Sequence, residues 1–451
     1  MDIIYQPYID PEFESLIERI HPPRVCIDND ACEDCTLVKV DSANKHGILL
    51  EMVQVLTDLD LVISKSYISS DGGWFMDVFH VTDRFGNKLA DESLILYIQK
   101  ALCPSMREVR RGHVATEQTV LEMTGTDRPG IMSEMSAVLL ELGCSVTSAV
   151  AWTHNTRAAC IIYLEDGIKG GPISDPIRLA HVEEQLENVV EAHHGKGERR
   201  SVRLAAPVAG QTHTERRLHQ LMFADRDYER CHGCDGTHVS IESCKEKGYS
   251  VVNVRSRDRP KLLFDTVCVL TDMQYVVFHA AVASKASMAD QEYFIRHKDG
   301  CTLDTESERQ KLSQCLIAAI ERRVSHGLRL ELCTQNRMGL LSDVTRVLRE
   351  NGLSISRVEV TTQGDTAVGS FYITDASGHD VNPNIVEVVK KETGGSVLTD
   401  HKSSKWASQA SSSRTGRRLH SGVEDRPRFS LGGLLWSQLE RLSGSFGPIR
   451  S

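Results

Sequence analysis

One stretch of twenty residues occurs four times in this chain, and such repetition restricts the fold to copies of one structural unit. The copies begin at Asn44, Asp127, Asp258 and Asn336 and align without a gap. Each has glycine three residues after its start, except the third copy, which has Lys261 there. An Ile/Leu–Leu/Met pair, an acidic residue and a Val–Leu pair follow at common offsets.

Each copy predicts a strand, a tight turn, a helix and a second strand. The first residue, Asn or Asp, is predicted to cap the helix N-terminus with its side-chain oxygen. Pro129 and Pro260 are predicted in the first helical turn, where a missing N–H costs nothing. Gly143 and Gly352 stand where a helix end favours a left-handed residue.

A further strand and a second helix follow in each repeat. The strand is predicted to pair back as a hairpin, at Phe75–Thr82, Ala158–Glu165, Glu292–His297 and Val368–Thr374. The order βαββα, usually completed by a last strand, is that of a ferredoxin-like α+β sandwich. Because two helices cover only one face of the sheet, we expect sheets or sheet edges of different repeats to pair.

The spacing of the repeats predicts four small domains in two tandem pairs. Gly47 and Gly130 are 83 residues apart, Lys261 and Gly339 are 78 apart, and 131 residues separate Gly130 from Lys261. Repeat 3 has room for only one strand before Asn336, so we expect it to lack a last strand or to share one with repeat 4. The predicted boundaries are 1–34 for an N-terminal segment, 35–114 for repeat 1, 117–203 for repeat 2, 204–248 for a linker, 249–325 for repeat 3, 327–400 for repeat 4 and 401–451 for a tail.

The composition is that of an ordinary folded protein, with 40% hydrophobic and 25% charged residues. The net charge of −10 argues against general nucleic-acid binding. Asp2, Asp10, Glu12 and Glu14 precede any basic cluster, which argues against a signal peptide. The 13 scattered cysteines favour reduced thiols over a disulfide framework. We therefore expect a protein of the cytoplasm, the nucleus or both, and not a secreted one.

The tail, residues 401–451, differs from the repeats in being rich in Ser, Arg and Gly. It carries nine basic and three acidic side chains, a net charge of +6, and is predicted to be disordered. Two further interpretations stay open. Arg417-Arg418 could serve nuclear entry or control by phosphorylation. Leu431, Leu434, Leu435, Trp436, Leu439 and Leu442 could form an amphipathic helix that contacts a membrane surface or a partner protein.

Other reactive residues give weaker signals. Cys32 and Cys35 form one C-x-x-C pair, and Cys231 and Cys234 form another; two such pairs can bind zinc, act as redox pairs or be incidental thiols. His379-Asp380 is similar to a metal phosphohydrolase dipeptide, but it stands at a hairpin end where turn formation explains it. No catalytic triad order, Walker motif or dinucleotide fingerprint is present in its required context. We expect no enzyme activity, no metal and no cofactor.

The β-(N/D)-R-P-G-(I/L)-(L/M) turn within βαββαβ units resembles the ACT domain, a small regulatory module that binds amino acids. Four such units without an attached enzyme resemble the plant ACT domain repeat (ACR) proteins. The segments His213–Glu229 and Met1–Ile20 also resemble that family. A related pattern ends bacterial uridylyltransferases that sense glutamine, whose nucleotidyltransferase and phosphohydrolase regions have no counterpart here. The resemblance implies ligands at interfaces between domains.

The turn and the helix N-terminus are the predicted ligand site. Unpaired N–H groups and a partial positive charge favour an α-carboxylate there, and glycine lets a ligand approach the backbone. The Asn or Asp could accept from the ligand's ammonium group, although a helix cap and a tight turn would require the same residues for folding alone. Repeat 2 matches best, and Lys261 argues against a site in repeat 3. The predicted ligand-binding residues are Asn44, Gly47, Ile48 and Leu49; Asp127, Pro129, Gly130, Ile131 and Met132; and Asn336, Gly339, Leu340 and Leu341.

The sequence therefore predicts a non-enzymatic regulatory protein that binds amino acids between paired repeats, with glutamine as the first candidate. The alternative is a scaffold that has lost ligand binding and acts through protein contacts alone. The expected partners are a free amino acid and a second protein or another copy associating through ACT sheets. A membrane periphery could be reached through the tail.

Overall fold

The computed structural model describes residues 24–71, 73–103, 118–192, 199–205, 212–230, 236–244, 248–285, 287–324, 327–393 and 396–400. The predictions made for the tail and for the pair Cys231 and Cys234 lie outside these residues. The described chain forms two compact units. The first contains residues 24–103 and 236–317, and the second contains residues 118–230 and 318–400.

The elements follow the repeats along the chain. Repeat 1 contains β1 (Arg24–Asp28), β2 (Thr36–Ala43), α1 (Ile48–Asp58), β3 (Val62–Asp71), β4 (Trp74–Thr82) and α2 (Glu92–Leu102). Repeat 2 contains β5 (Thr119–Thr126), α3 (Ile131–Glu141), β6 (Cys144–His154), β7 (Arg157–Asp166), α4 (Pro176–Glu191) and β8 (Ser201–Ala205). The linker contributes α5 (Thr214–Ala224) and a short 3-10 helix, Asp227–Arg230.

Repeat 3 contains β9 (His238–Cys244), β10 (Tyr249–Arg257), α6 (Leu262–Asp272), β11 (Tyr275–Lys285), β12 (Met288–His297) and α7 (Glu306–Arg322). Repeat 4 contains β13 (Leu328–Gln335), α8 (Leu340–Glu350), β14 (Leu353–Gln363), β15 (Thr366–Asp375), α9 (Pro383–Thr393) and β16 (Ser396–Asp400). The boundary between the two units falls within α7, whose residues from Ala318 onward belong to the second unit.

Each unit contains one eight-stranded antiparallel sheet built from two repeats. The order is β1-β2-β4-β3-β11-β12-β10-β9 in the first unit and β16-β13-β15-β14-β6-β7-β5-β8 in the second. The predicted ferredoxin-like repeats in two pairs are confirmed, but the partners alternate along the chain. Repeat 1 pairs with repeat 3 through β3 and β11, and repeat 2 pairs with repeat 4 through β6 and β14. The tandem pairing inferred from spacing was wrong, because sequence distance does not determine which sheet edges meet.

The paired repeats share a core on the helix side of each sheet. In the second unit, apolar side chains of both first helices are buried in one cluster, for example Met135 and Leu139 of α3 with Val344 and Leu348 of α8. The helical spacing of these residues places them on one face of each helix. The predicted left-handed residues at the helix ends are confirmed, with φ of 68° at Gly143 and 71° at Gly352.

The outer edge strands come from different places in different repeats. In repeats 2 and 4 the strand after the second helix, β8 or β16, pairs with the first strand of the repeat. In repeats 1 and 3 the same edge is formed by β1 or β9, which come before the first strand that the sequence predicted for the repeat. This explains why repeat 3 has no room for a last strand: β9, which lies in the predicted linker, occupies that edge beside β10.

In the second unit the linker helix α5 covers part of the sheet face that α3 and α8 leave uncovered. Its Leu218 and Met222 side chains are fully buried. They pack against Val120, Trp152 and Ile161, whose side chains project from that face. Residues 214–230 of the predicted linker are therefore a folded part of the second unit rather than a spacer.

Buried ion pairs fasten the linker to the rest of the second unit. Asp227 is fully buried and accepts from Arg322 Nε at 2.7 Å and from Arg322 Nη2 at 2.5 Å. His154 Nδ1 lies 2.8 Å from the same carboxylate. Removing one partner of such a buried pair typically costs about 3–5 kcal/mol, so this network strongly favours the docked position of the linker.

Two further pairs have the same arrangement. Arg157 donates to Asp225 through Nε at 2.6 Å and Nη2 at 2.9 Å. Arg323 donates to Glu215 through Nη1 at 3.0 Å and Nη2 at 3.3 Å. Both arginines are almost fully buried, so each requires its carboxylate. No helix in the described part of the chain is both long enough and apolar enough to cross a membrane.

Leu218→Ala is expected to lower the free energy of unfolding of the full chain by about 2–5 kcal/mol, because it removes a fully buried side chain from the linker–sheet contact. Chemical denaturation followed by circular dichroism measures the change. Leu96→Ala in α2 is the matched control, since Leu96 is 54% exposed and its truncation should change stability by at most about 0.5 kcal/mol. Equal effects of the two substitutions would contradict a folded linker.

The His154 site predicts a dependence of stability on pH. Burial acts to lower the pKa of His154, but its hydrogen bonds to Asp227 and Glu321 outweigh burial and raise that pKa above the usual value. The stabilisation is therefore fully present below the unfolded pKa of about 6.5 and is lost as pH rises through the higher folded pKa. His154→Gln should reduce this loss. Denaturation between pH 6 and 9 tests it, and identical pH profiles for the two proteins would refute the assignment.

Candidate ligand-binding turns

The four repeated turns have the same backbone geometry, which is that of a type II β-turn leading into a helix. In repeat 2, Ile131 N donates to Arg128 O at 3.3 Å, and Gly130 has φ 87° and ψ −4°. Type II turns require positive φ at this third position, which favours glycine, and favour proline just before it. The turn geometry thus explains Pro129 and Gly130 together.

The helix begins after the turn, so the predicted role of the Asn or Asp as a helix cap was wrong. The residues that cap the four helices are Gly47, Gly130, Lys261 and Gly339, and none makes a side-chain capping hydrogen bond. Pro129 and Pro260 likewise lie before their helices rather than within the first turn. The type II turn prevails because it brings the chain from the strand into the helix within four residues.

The Asn or Asp instead fixes the turn to the neighbouring hairpin. Asn44, Asp127 and Asn336 each donate their backbone N–H to a hairpin carbonyl at 2.8 Å. In repeat 2 burial raises the pKa of Asp127 to about 6, even though hydrogen bonds from Thr153 and from the Arg128 backbone act to lower it. Its carboxyl group is therefore at the sheet side of the turn, next to the hairpin.

An ion pair ties each turn to its helix in three repeats. The arginine after the first residue contacts the acidic residue seven positions into the repeat. The distances are 2.5 Å for Arg128–Glu134, 2.7 Å for Arg259–Asp265 and 2.5 Å for Arg337–Asp343. The acidic residue was visible in the sequence pattern, but its partner was missed.

A shallow pocket that is partly open to solvent lies at the turn of repeat 4. Repeat 4 contributes Asn336, Arg337, Gly339, Leu340, Leu341, Ser342, Val360, Thr362 and Ala367. Repeat 2 contributes the opposite wall, Ser136, Leu140, Cys144 and Val146. The structure thus brings together all four residues predicted for this repeat.

An equivalent shallow pocket lies at the turn of repeat 3, where no site was expected. Its turn residues are Asp258, Arg259, Pro260 and Lys261. Repeat 1 supplies the opposite wall, Thr57, Leu61, Val62 and Ile63. Thr57, Leu61 and Ile63 have the same offsets in repeat 1 as Leu140, Cys144 and Val146 have in repeat 2.

The wall residues were missed because the sequence indicated only that a neighbouring repeat closes the pocket. They stand thirteen, seventeen and nineteen residues after the start of their own repeat. With the alternating pairing known, these offsets would have identified them. The predicted pairing of adjacent repeats pointed to the wrong neighbour.

The turns of repeats 1 and 2 have different surroundings. The floor of the pocket is Ala367 in repeat 4 and Ala289 in repeat 3, whereas the equivalent residue of repeat 1 is the buried Phe75. In repeat 2 the aliphatic part of Arg349 lies over the turn, and its Cδ would be 2.9 Å from a Cβ added to Gly130. The predicted turns of repeats 1 and 2 are therefore present, but they face different side chains from those that line the two pockets. The predicted residues concerned are Asn44, Gly47, Ile48 and Leu49 in repeat 1, and Asp127, Pro129, Gly130, Ile131 and Met132 in repeat 2.

The remaining sequence signals describe local structure. Burial and the neighbouring Cys32 raise the pKa of the Cys35 thiol to about 11, which makes it a weak nucleophile and metal ligand. Backbone N–H groups of Ser377 and His379 donate to the Asp375 carboxylate at 2.8 Å, so turn formation accounts for the dipeptide beside it. Within the described residues, no group of three or more His, Cys, Asp or Glu side chains could hold a metal ion.

Comparisons with known proteins match this architecture. The family model of the ACR family N-terminal ACT domain matches residues 31–109, and the ACT domain model matches residues 328–394. The chain is 56% identical to ACT domain-containing protein ACR1 of Arabidopsis thaliana, with 100% of both chains covered. It is 52% identical to ACT domain-containing protein ACR3 of the same plant, over 92% of this chain and 95% of that protein.

A more distant match is local. The chain is 37% identical over 87 residues to the bifunctional uridylyltransferase/uridylyl-removing enzyme of Azospirillum brasilense. The match covers 19% of this chain and 9% of the enzyme, so it concerns about one repeat.

Substituting alanine for the turn glycines should separate backbone strain from packing. Gly47→Ala and Gly339→Ala both place a side chain in the left-handed region, at a cost of about 1–2 kcal/mol each. Gly339→Ala should cost more, because its Cβ would meet Leu140 Cδ2 at 2.9 Å, whereas nothing lies within 4 Å at Gly47. Urea denaturation measures both. A larger loss for Gly47→Ala would contradict this geometry.

Proposed function

The chain belongs to the ACR family of ACT domain-containing proteins, and we infer that it is a regulatory protein that binds free amino acids between its paired repeats. Its proposed binding sites are the pockets at the turns of repeats 3 and 4. We propose no catalytic activity. The observation that carries the proposal is the equivalence of the two pockets, each formed by one repeat's turn and its partner's wall.

The pocket at the turn of repeat 4 has the groups that an amino acid requires. The N–H groups of Leu341 and Ser342 are the second and third of α8, where no helical acceptor exists, and the helix dipole adds partial positive charge. They would hold the α-carboxylate. The side chain of Asn336 would accept from the ammonium group, and Leu140 and Val146 would contact the ligand's side chain.

Both pockets are bordered by hydroxyl groups, which supports a ligand with a polar side chain. Thr57 and Ser284 border the pocket at the turn of repeat 3, and Ser136, Ser342 and Thr362 border the pocket at the turn of repeat 4. An amide side chain such as that of glutamine gains hydrogen bonds from hydroxyl groups that an apolar wall cannot offer. We therefore propose glutamine as the first candidate ligand for both pockets.

Regulation would follow from the position of the pockets between two repeats. A ligand that contacts both walls favours the mutual arrangement of the two repeats in which those contacts are best. It can shift the equilibrium between arrangements only by the difference in its affinity for them. The affected surface would then be recognised by a partner protein. Such coupling between two sites is reciprocal, so the partner would also change the ligand's affinity.

The experiment is thermal unfolding of the full chain with each of the twenty amino acids. A ligand that binds only the folded state stabilises it by RT ln(1 + [L]/Kd), about 2.7 kcal/mol at a hundredfold excess over Kd. We expect a selective rise in Tm with one or a few amino acids, glutamine first. No rise with any of them would favour the alternative, a scaffold that acts through protein contacts alone.

Ala367→Phe and Ala289→Phe assign the stabilisation to one pocket each. Each variant places phenylalanine where repeat 1 already has Phe75, so the substitution is compatible with the repeat while filling the pocket floor. Ala367→Phe should abolish stabilisation by ligands of the second unit and retain that by ligands of the first, and Ala289→Phe should do the reverse. Ligand responses unchanged in both variants would place the binding site elsewhere.

A further inference from the structure

Two hydroxyl groups meet inside the second unit where its first helices cross. Ser136 Oγ of α3 lies 3.0 Å from Thr345 Oγ1 of α8, and both residues are buried. Both stand nine residues after the start of their repeat, so they are equivalent positions of the paired repeats. We call this contact the hydroxyl bridge. The first unit has Val53 and Val267 at these positions and therefore has no counterpart of it.

Each hydroxyl also contacts its own helix. Ser136 Oγ lies 2.6 Å from Met132 O, and Thr345 Oγ1 lies 2.7 Å from Leu341 O. A hydroxyl has a single hydrogen to donate. The two hydrogens cannot serve both helix carbonyls and the bridge at once. A hydrogen bond across the bridge therefore takes the hydrogen of either Ser136 or Thr345 away from the carbonyl of its own helix. The bridge therefore has two alternative hydrogen-bond arrangements.

The two arrangements act on opposite turns. Met132 and Leu341 are the second residues of α3 and α8, the helices that follow the turns of repeats 2 and 4. Ser136 itself lines the pocket at the turn of repeat 4, whereas Thr345 does not. Any group in that pocket that bonds to or displaces the Ser136 hydroxyl selects one arrangement and changes the bond at the other turn.

We propose that the hydroxyl bridge couples the two turns of the second unit, so that filling the pocket at the turn of repeat 4 alters the turn of repeat 2. Thr345 is a positioning residue, since it acts on the pocket only through Ser136. The assumption that an amino acid naturally fills this pocket rests on the proposed function, but the hydroxyl bridge can be tested without any ligand. The first unit, with valines at both positions, binds without this coupling.

The test replaces the ligand by a side chain. Ala367→Phe fills the pocket at the turn of repeat 4, and amide hydrogen exchange is measured by mass spectrometry of the full chain at residues 127–134. We expect exchange there to change by about threefold or more, the effect of gaining or losing one hydrogen bond. The change should vanish when Thr345→Val is added and return with Thr345→Ser, which restores the bridging hydroxyl.

Two controls exclude general destabilisation. Thr393→Val also removes a hydroxyl that donates within its own helix, to Val389 O at 2.7 Å, and should leave the response to Ala367→Phe intact. Ala289→Phe in the first unit should leave exchange at residues 44–51 unchanged, because no bridge connects that turn. If phenylalanine disrupts the fold, Ala367→Leu provides the same test.

Each outcome decides the proposal. A response to Ala367→Phe that disappears only with Thr345→Val supports the bridge. The same response with and without Thr345→Val, or no response in either background, overturns it. If no amino acid stabilises the wild-type protein while the variants behave as expected, the proposed function fails and the coupling stands.

Discussion

The pairing of the strands that follow the first helices determines the rest of this structure. Those strands, β3 with β11 and β6 with β14, join two four-stranded repeats into one continuous sheet. The pairing satisfies backbone groups that would otherwise lie at a free sheet edge. It also sets the two first helices of a unit side by side, so that each turn faces the end of its partner's helix. Both pockets and the hydroxyl bridge result from that placement.

The local parts of this design could be predicted from the sequence, and the long-range parts could not. Apolar spacing and the repeated glycine indicate strand, turn and helix, because those signals act within a few residues. The capping role given to Asn44 and its equivalents was wrong, since a type II turn separates that residue from the helix. The partners were also wrong, because all four repeats have similar edges and nothing local distinguishes them. Wall residues such as Leu140 become recognisable only once the partner is known.

The docking of the linker is another long-range feature that the sequence does not reveal, in this case because it depends on ion pairs. The segment around α5 contains so many charged residues that its composition suggests exposure to solvent. In the structure Asp225 and Asp227 are buried, and Arg157 and Arg322 donate to them. Neither member of such a pair reveals its partner in the sequence. Buried pairs add little net stability, but they strongly disfavour any position that leaves one charge unpaired. They therefore specify where the linker docks.

Repetition of a turn specifies its shape and leaves its chemistry free to differ. Lys261 adopts φ 66°, a conformation that costs a side chain about 1–2 kcal/mol, yet its turn matches the other three. The neighbouring Arg259–Asp265 pair, with Asp265 fully buried, helps to hold that geometry without glycine. Glycine is thus a response to backbone strain and does not by itself mark a ligand site. The residues across the turns differ in kind: Arg349 lies over the turn of repeat 2, Leu140 lies over that of repeat 4, and Thr57 borders that of repeat 3.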